Sequence, residues 1–171
     1  DADAPNFIPL IWQGDGPNPS PNYGGRANMY GVGGIPHSQW QGYMDDVGGG
    51  STYPRYLNHY NQISPTNAPM DINPVMTMNG SDLLVTGEVT MTGDISSTNN
   101  KMVFILTYDF TGQQSPDYFA SVIEYSDVAF PLTSSGQEGA YSAFFPFDED
   151  WDLSKVTAVI MVQTFNGNKE I

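Results

Sequence analysis

The sequence predicts a mainly β protein, on three observations. Gly and Pro number 18 and 13 in 171 residues, so turns are frequent and long helices few. Six runs after residue 69 read as strands, several with apolar residues at every second position. Turn residues separate them at the spacing of a two-sheet structure. The expected fold is an immunoglobulin-like β-sandwich over residues 66–171, preceded by a small α+β module over residues 1–65. The length allows one full domain with a smaller module beside it.

The N-terminal module is rich in Pro, Gly, Asn and Tyr. Phe7-Ile8-Pro9-Leu10-Ile11-Trp12 is a short apolar strand candidate within residues 4–13. Pro9 argues for an edge position or unusual pairing, because proline donates no ladder hydrogen bond. Gly14 to Gly25 reads as a loop, Ala27 to Tyr30 as a helical turn, Ile35 to Gln41 as a strand and Asp45 to Gly50 as a turn. Pro54 to Gln62 is the strongest helix, with Pro54 near its first position. Ile63 to Pro69 reads as a linker.

The strands expected beyond it are Asp71–Met78, Leu83–Met91, Met102–Tyr108, Tyr118–Tyr125, Ala140–Phe147 and Val156–Phe165. Asn79-Gly80 is a hairpin signal between the first two. Met102–Tyr108 is almost continuously apolar, as in a central strand. Leu83, Val85, Val89, Phe104, Leu106, Ala158, Ile160 and Val162 are the expected core. A seven-strand sandwich needs one strand more, and the sequence ends at Asn168-Lys169-Glu170-Ile171 where it would begin.

Charge narrows the partners. Five Lys and Arg stand against 19 Asp and Glu, a formal net charge of −14. Nucleic-acid binding needs clustered cations, so it is excluded, and an anionic membrane surface is disfavoured likewise. No apolar run is long enough for membrane insertion. The low Lys content, the richness in Asn, Thr, Ser, Gly and Tyr, and a start at Asp1 fit a processed extracellular or cell-surface protein. The absence of cysteine removes disulfides, thiolate catalysis and thiolate metal ligands.

Two segments, Phe7 to Gly42 and Asp148 to Ile171, carry a family resemblance. The first runs from an apolar strand through a Pro/Asn-rich loop to Arg26, the turn Tyr30-Gly31-Val32-Gly33-Gly34-Ile35-Pro36 and a short strand. The second holds a Trp-containing turn and a last strand. Together they resemble a Bacteroidota outer-membrane and secreted protein family, in which a thioredoxin-like module precedes a β-sandwich. The resemblance implies that the small module is part of a thioredoxin fold and that Pro36 is its cis-proline. It also implies a truncated version, because the half that carries the Cys-x-x-Cys motif is missing.

Few residues suggest chemistry. Asp148, Asp150 and Asp152 alternate and form a weak calcium candidate, but the Gly and distal Glu of an EF-hand are lacking. A solvated turn pinned by Trp151 is the reading preferred; the same holds for Asp45-Asp46. His37 and His59 fall in no metal or triad spacing. No cofactor is implied. Tyr23, Tyr30, Trp40, Tyr43, Tyr53, Tyr56 and Tyr60 would suit a glycan platform or a protein interface, but packing of so small a module onto the sandwich or a neighbour is the more economical explanation. Asn79-Gly80-Ser81 is also a glycosylation sequon.

The expected function is that of a non-enzymatic subunit of an extracellular pilus-like filament. Phe7, Ile8, Leu10, Ile11 and Trp12 would be donated as a strand to another copy, giving a helical homopolymer. The alternative is a glycan- or protein-binding module of a larger surface protein. An enzyme ranks last.

Overall fold

The computed structural model describes residues 6–50, 52–113, 118–167 and 169–171. Ala4, Pro5 and Asn168, which the sequence reading placed in the donor strand and at the start of a seventh strand, lie outside them.

Two helices and a hairpin form the first part. Helix α1 spans Tyr23–Tyr30, four residues earlier than the pattern suggests. It ends at Gly31, whose φ is 66°. There the Val32 N–H reaches the Ala27 carbonyl and the Gly31 N–H that of Asn28, a Schellman closure that needs a left-handed residue. Strands β1 (His37–Trp40) and β2 (Met44–Val47) form an antiparallel hairpin. Asp45 and Asp46, expected in a turn, therefore lie in a strand. Helix α2 spans Tyr53–Ile63, with Pro54 in its first turn.

The rest is antiparallel β-structure in two three-stranded sheets. The first has the order β3-β4-β7, from Met70–Asn79, Asp82–Met91 and Glu138–Pro146. The second has the order β6-β5-β8, from Ser121–Ala129, Asn100–Tyr108 and Val156–Thr164. All six expected strands are present. The fourth begins three residues later than expected, because Tyr118 to Ala120 lie outside the ladder. Gly80, at φ 67°, turns β3 into β4.

The main core lies between the sheets. Leu83, Val85, Val89, Met91 and Phe145 from one meet Met102, Phe104, Leu106, Val156 and Val162 from the other. Each of the eight expected core residues belongs to this cluster, Ala158 and Ile160 at its half-buried margin. Val103, Ile105 and Val122 form a second cluster on the opposite face of β6-β5-β8, under Leu10 and Trp12. The apolar run of β5 thus has its cause: both faces of the strand are covered.

The final residues add no seventh strand among those described. The chain turns after β8, the Glu170 carbonyl accepts the Thr164 N–H, and the Ile171 N–H donates to Gln41. This places the Lys169 carbonyl oxygen 1.7 Å from where a Cβ on residue 42 would sit, so Gly42 is required there by close approach as well as by its φ of 82°.

Candidate functional site

The most informative feature is the path of residues 6–13. Only Ile11 makes a β-bridge, so Phe7–Trp12 is an extended segment and not the regular strand expected. Pro9 accounts for part of this, since it removes one donor from a six-residue run. Ile11 pairs parallel to Ser121 at the edge of β6. Its N–H donates to the Ala120 carbonyl at 2.8 Å, and its carbonyl accepts the Val122 N–H at 2.9 Å. The Gln13 side chain donates to Ser121 Oγ at 2.6 Å. The segment therefore leaves its own module for the β6-β5-β8 sheet of the same chain. Its contact with the β1 hairpin is the stack of Phe7 on Trp40, with ring centroids 5.4 Å apart.

Leu10, Ile11 and Trp12 are half-buried, while Phe7 and Ile8 are 45% and 66% exposed. The candidate donor residues are thus anchored at one end and loose at the other.

Arg26 joins α1 to the same sheet. It is 5% exposed, and its guanidinium donates to Gln163 Oε1 and Tyr30 Oη, each at 2.8 Å. The Trp12, Tyr30 and Tyr125 rings lie 5.2, 5.0 and 5.7 Å from its Cζ. Aromatic faces and neutral acceptors take the place of a carboxylate here. Gln163 in turn donates to Tyr30 Oη and to the Lys169 carbonyl. Burial, followed by a hydrogen bond to Asp127, raises the Tyr125 phenol far above its ordinary range. No sequence motif flagged Arg26 or Gln163 as a pair, since they are 137 residues apart.

Between the two parts lies a cavity of about 1250 Å³, with Phe7, Trp40, Tyr56, Tyr60 and Arg26 in its wall. Trp40 also meets the Tyr56 and His59 rings, at 5.3 and 5.6 Å. The aromatic residues singled out in the sequence are partly brought together here. Asp46 is used up by Arg55 at 3.2 Å and His59 at 3.6 Å, so it is held in a charge contact and not in a turn.

The acidic turn is held by its own carboxylates. Asp148 accepts the Asp150 N–H, and Asp152 accepts the N–H and hydroxyl of Ser154. Those bonds hold the Asp152 carboxyl below its usual range. Among the described residues no group of three acidic or histidine side chains could hold a metal ion. Trp151 does pack on the core, edge-on to Phe147 at 5.9 Å. The Ile35–Pro36 peptide bond is cis. Asn79 is exposed at the tip of the β3–β4 hairpin.

A scan against protein-family models, a search of curated proteins and a search of solved structures each found no match to this chain.

Proposed function

We propose that this chain is a structural subunit that assembles with copies of itself at the cell surface by exchange of an extended segment, with no catalysis of its own. On this reading the β-rich part is an immunoglobulin-like sandwich lacking one strand, and the first part is a remnant of a thioredoxin-like module. The observation that carries it is the docking of residues 7–12. An apolar segment outside any sheet crosses to β6 through two backbone bonds, and the loop Gly14 to Pro21 joins it to α1. A segment joined to its sheet by two backbone bonds can offer its unpaired backbone groups to a strand edge of another copy, which is the route of strand exchange. Two exchanged ends on one subunit give a head-to-tail contact and hence a filament.

The test is electron microscopy and mass measurement of the purified chain. Filaments of the intact chain, and their loss on deletion of residues 1–13, are expected. A chain that stays monomeric at high concentration refutes assembly.

The aromatic cavity favours a second reading, a neutral glycan held on Trp40 and Tyr56. Binding of oligosaccharides by a monomer, lost in Trp40→Ala, would favour it over the first.

A further inference from the structure

Sheet edges are where unpaired backbone groups invite another chain, and folded proteins guard them with charge, proline, bulges or cover. Three of the four edges of the two three-stranded sheets are guarded. Strand β3 carries Asp71 and Pro74, and β7 carries Glu138 and Pro146. Strand β6 carries Glu124 and Asp127, has a register shift in its pairing with β5, and lies beside Ile11. Strand β8 differs. Its nine residues, Val156-Thr-Ala-Val-Ile-Met-Val-Gln-Thr164, include no charge, no proline and no glycine. It pairs with β5 on one side, and no strand pairs with its other side among the described residues.

The open part of this edge is short. At its far end Gln163 is buried under Arg26 and Tyr30, and the Thr164 N–H is taken by Glu170. Residues 157–161 are left, exposed or half-buried. Thr157 to Ile160 form one wall of a groove of about 370 Å³, which Ile72 and Pro74 of β3 and Ile8 also line. A groove with a strand on each side suits an extended segment better than a second whole sheet.

We propose that the groove between β3 and β8 is the acceptor for residues 7–12 of a second copy, which add to β8 as a seventh strand. The inference rests on the reading of the chain as a self-assembling subunit. Charge selects this pairing: copies at −14 repel each other, and both residues 6–14 and residues 156–164 are uncharged. Proximity supports it, because Ile8 of the chain's own segment already lines the groove. Proline sets the register. With Pro9 facing away from β8, Ile8, Leu10 and Trp12 turn their backbone groups toward it, so the missing N–H costs no ladder bond.

Two measurements on the full chain test the site. The chain has no cysteine, so single-cysteine variants are unambiguous. Leu10→Cys and Thr157→Cys populations are mixed and treated with a short bismaleimide. A mixed dimer is expected for this pair and not for Leu10→Cys with Ser142→Cys on β7. An assembling chain that instead links Leu10→Cys to Ser121→Cys, or links to neither, overturns the groove and leaves self-assembly standing. The second measurement titrates a fluorescent peptide of residues 6–13 into dilute protein. Ala158→Lys, or Thr157→Lys should the first not fold, is expected to weaken binding at least tenfold, and Ser142→Lys to leave it unchanged. Binding insensitive to both Lys variants, or no binding, overturns the groove. Groove-dependent binding by a chain that never assembles upholds the groove and overturns the homopolymer.

Discussion

Leu106 of β5 and Ile160 of β8 face the same core from neighbouring strands, yet they should respond differently to truncation. Leu106 is completely buried, and Leu106→Ala should destabilise by about 2–5 kcal/mol. Ile160 is half-buried beside the open groove. Ile160→Ala should cost about 1–2 kcal/mol, because solvent can reach the vacated space. Urea unfolding of the two variants measures both, and an equal loss would show that the groove is closed. Glu124 offers a pH test. Burial raises its pKa above the ordinary 4.5. A raised folded-state pKa means stability that is present at low pH and lost as pH rises through the folded value. Glu124→Gln should therefore be more stable than the parent chain at neutral pH, and the difference should vanish below the ordinary carboxylate range. A difference that persists in acid would assign the effect to packing.

At the scale of elements, α1 depends on one side chain. Its sequence Tyr-Gly-Gly-Arg-Ala-Asn-Met-Tyr contains two glycines, each costing roughly 1 kcal/mol relative to Ala in a helix interior. Propensity alone would not form it. The Schellman closure fixes one end, and Arg26 ties its inner face to Gln163 of β8. Replacing Arg26 by Met keeps the bulk and leaves Gln163 Oε1 buried without its donor, a loss of about 1–3 kcal/mol. Hydrogen exchange should then accelerate across residues 23–30 more than across β5. Uniform protection in both elements would mean that α1 is held by other contacts. The same contact explains the low exposure of Gln163, a polar residue in a strand otherwise read as core.

For the whole molecule, charge should govern assembly. Copies at −14 repel over roughly 30 Å at 0.01 M salt but about 8 Å at 0.15 M. Filament formation should therefore speed up across that range, as read by light scattering. Slower assembly at the higher salt would point to an ion-paired contact in place of the uncharged one argued above. Each half of the molecule also depends on the other. Val103, Ile105 and Val122 would face water if Leu10 and Trp12 were removed. The truncation that abolishes assembly should accordingly bind more hydrophobic dye than the intact chain.

The mainly β class, all six strands and the eight core positions were legible in the sequence, because alternation with a period of two records which face of a strand is buried. The turn residue Gly80 was legible for a similarly local reason, since only certain residues accept a positive φ. What remained hidden was long-range. The double burial of β5 looked like a central strand, but only the fold shows that Leu10 and Trp12 form its second cover. The tie between Arg26 and Gln163, the use of Asp46 by Arg55 and His59, and the spending of Asp148 and Asp152 on turn hydrogen bonds leave no local pattern. Each depends on residues meeting in space. Which edge is open was also a tertiary decision: the uncharged sequence of β8 is plain in the chain, but only its place at the margin of a sheet, beside β3, turns it into a groove.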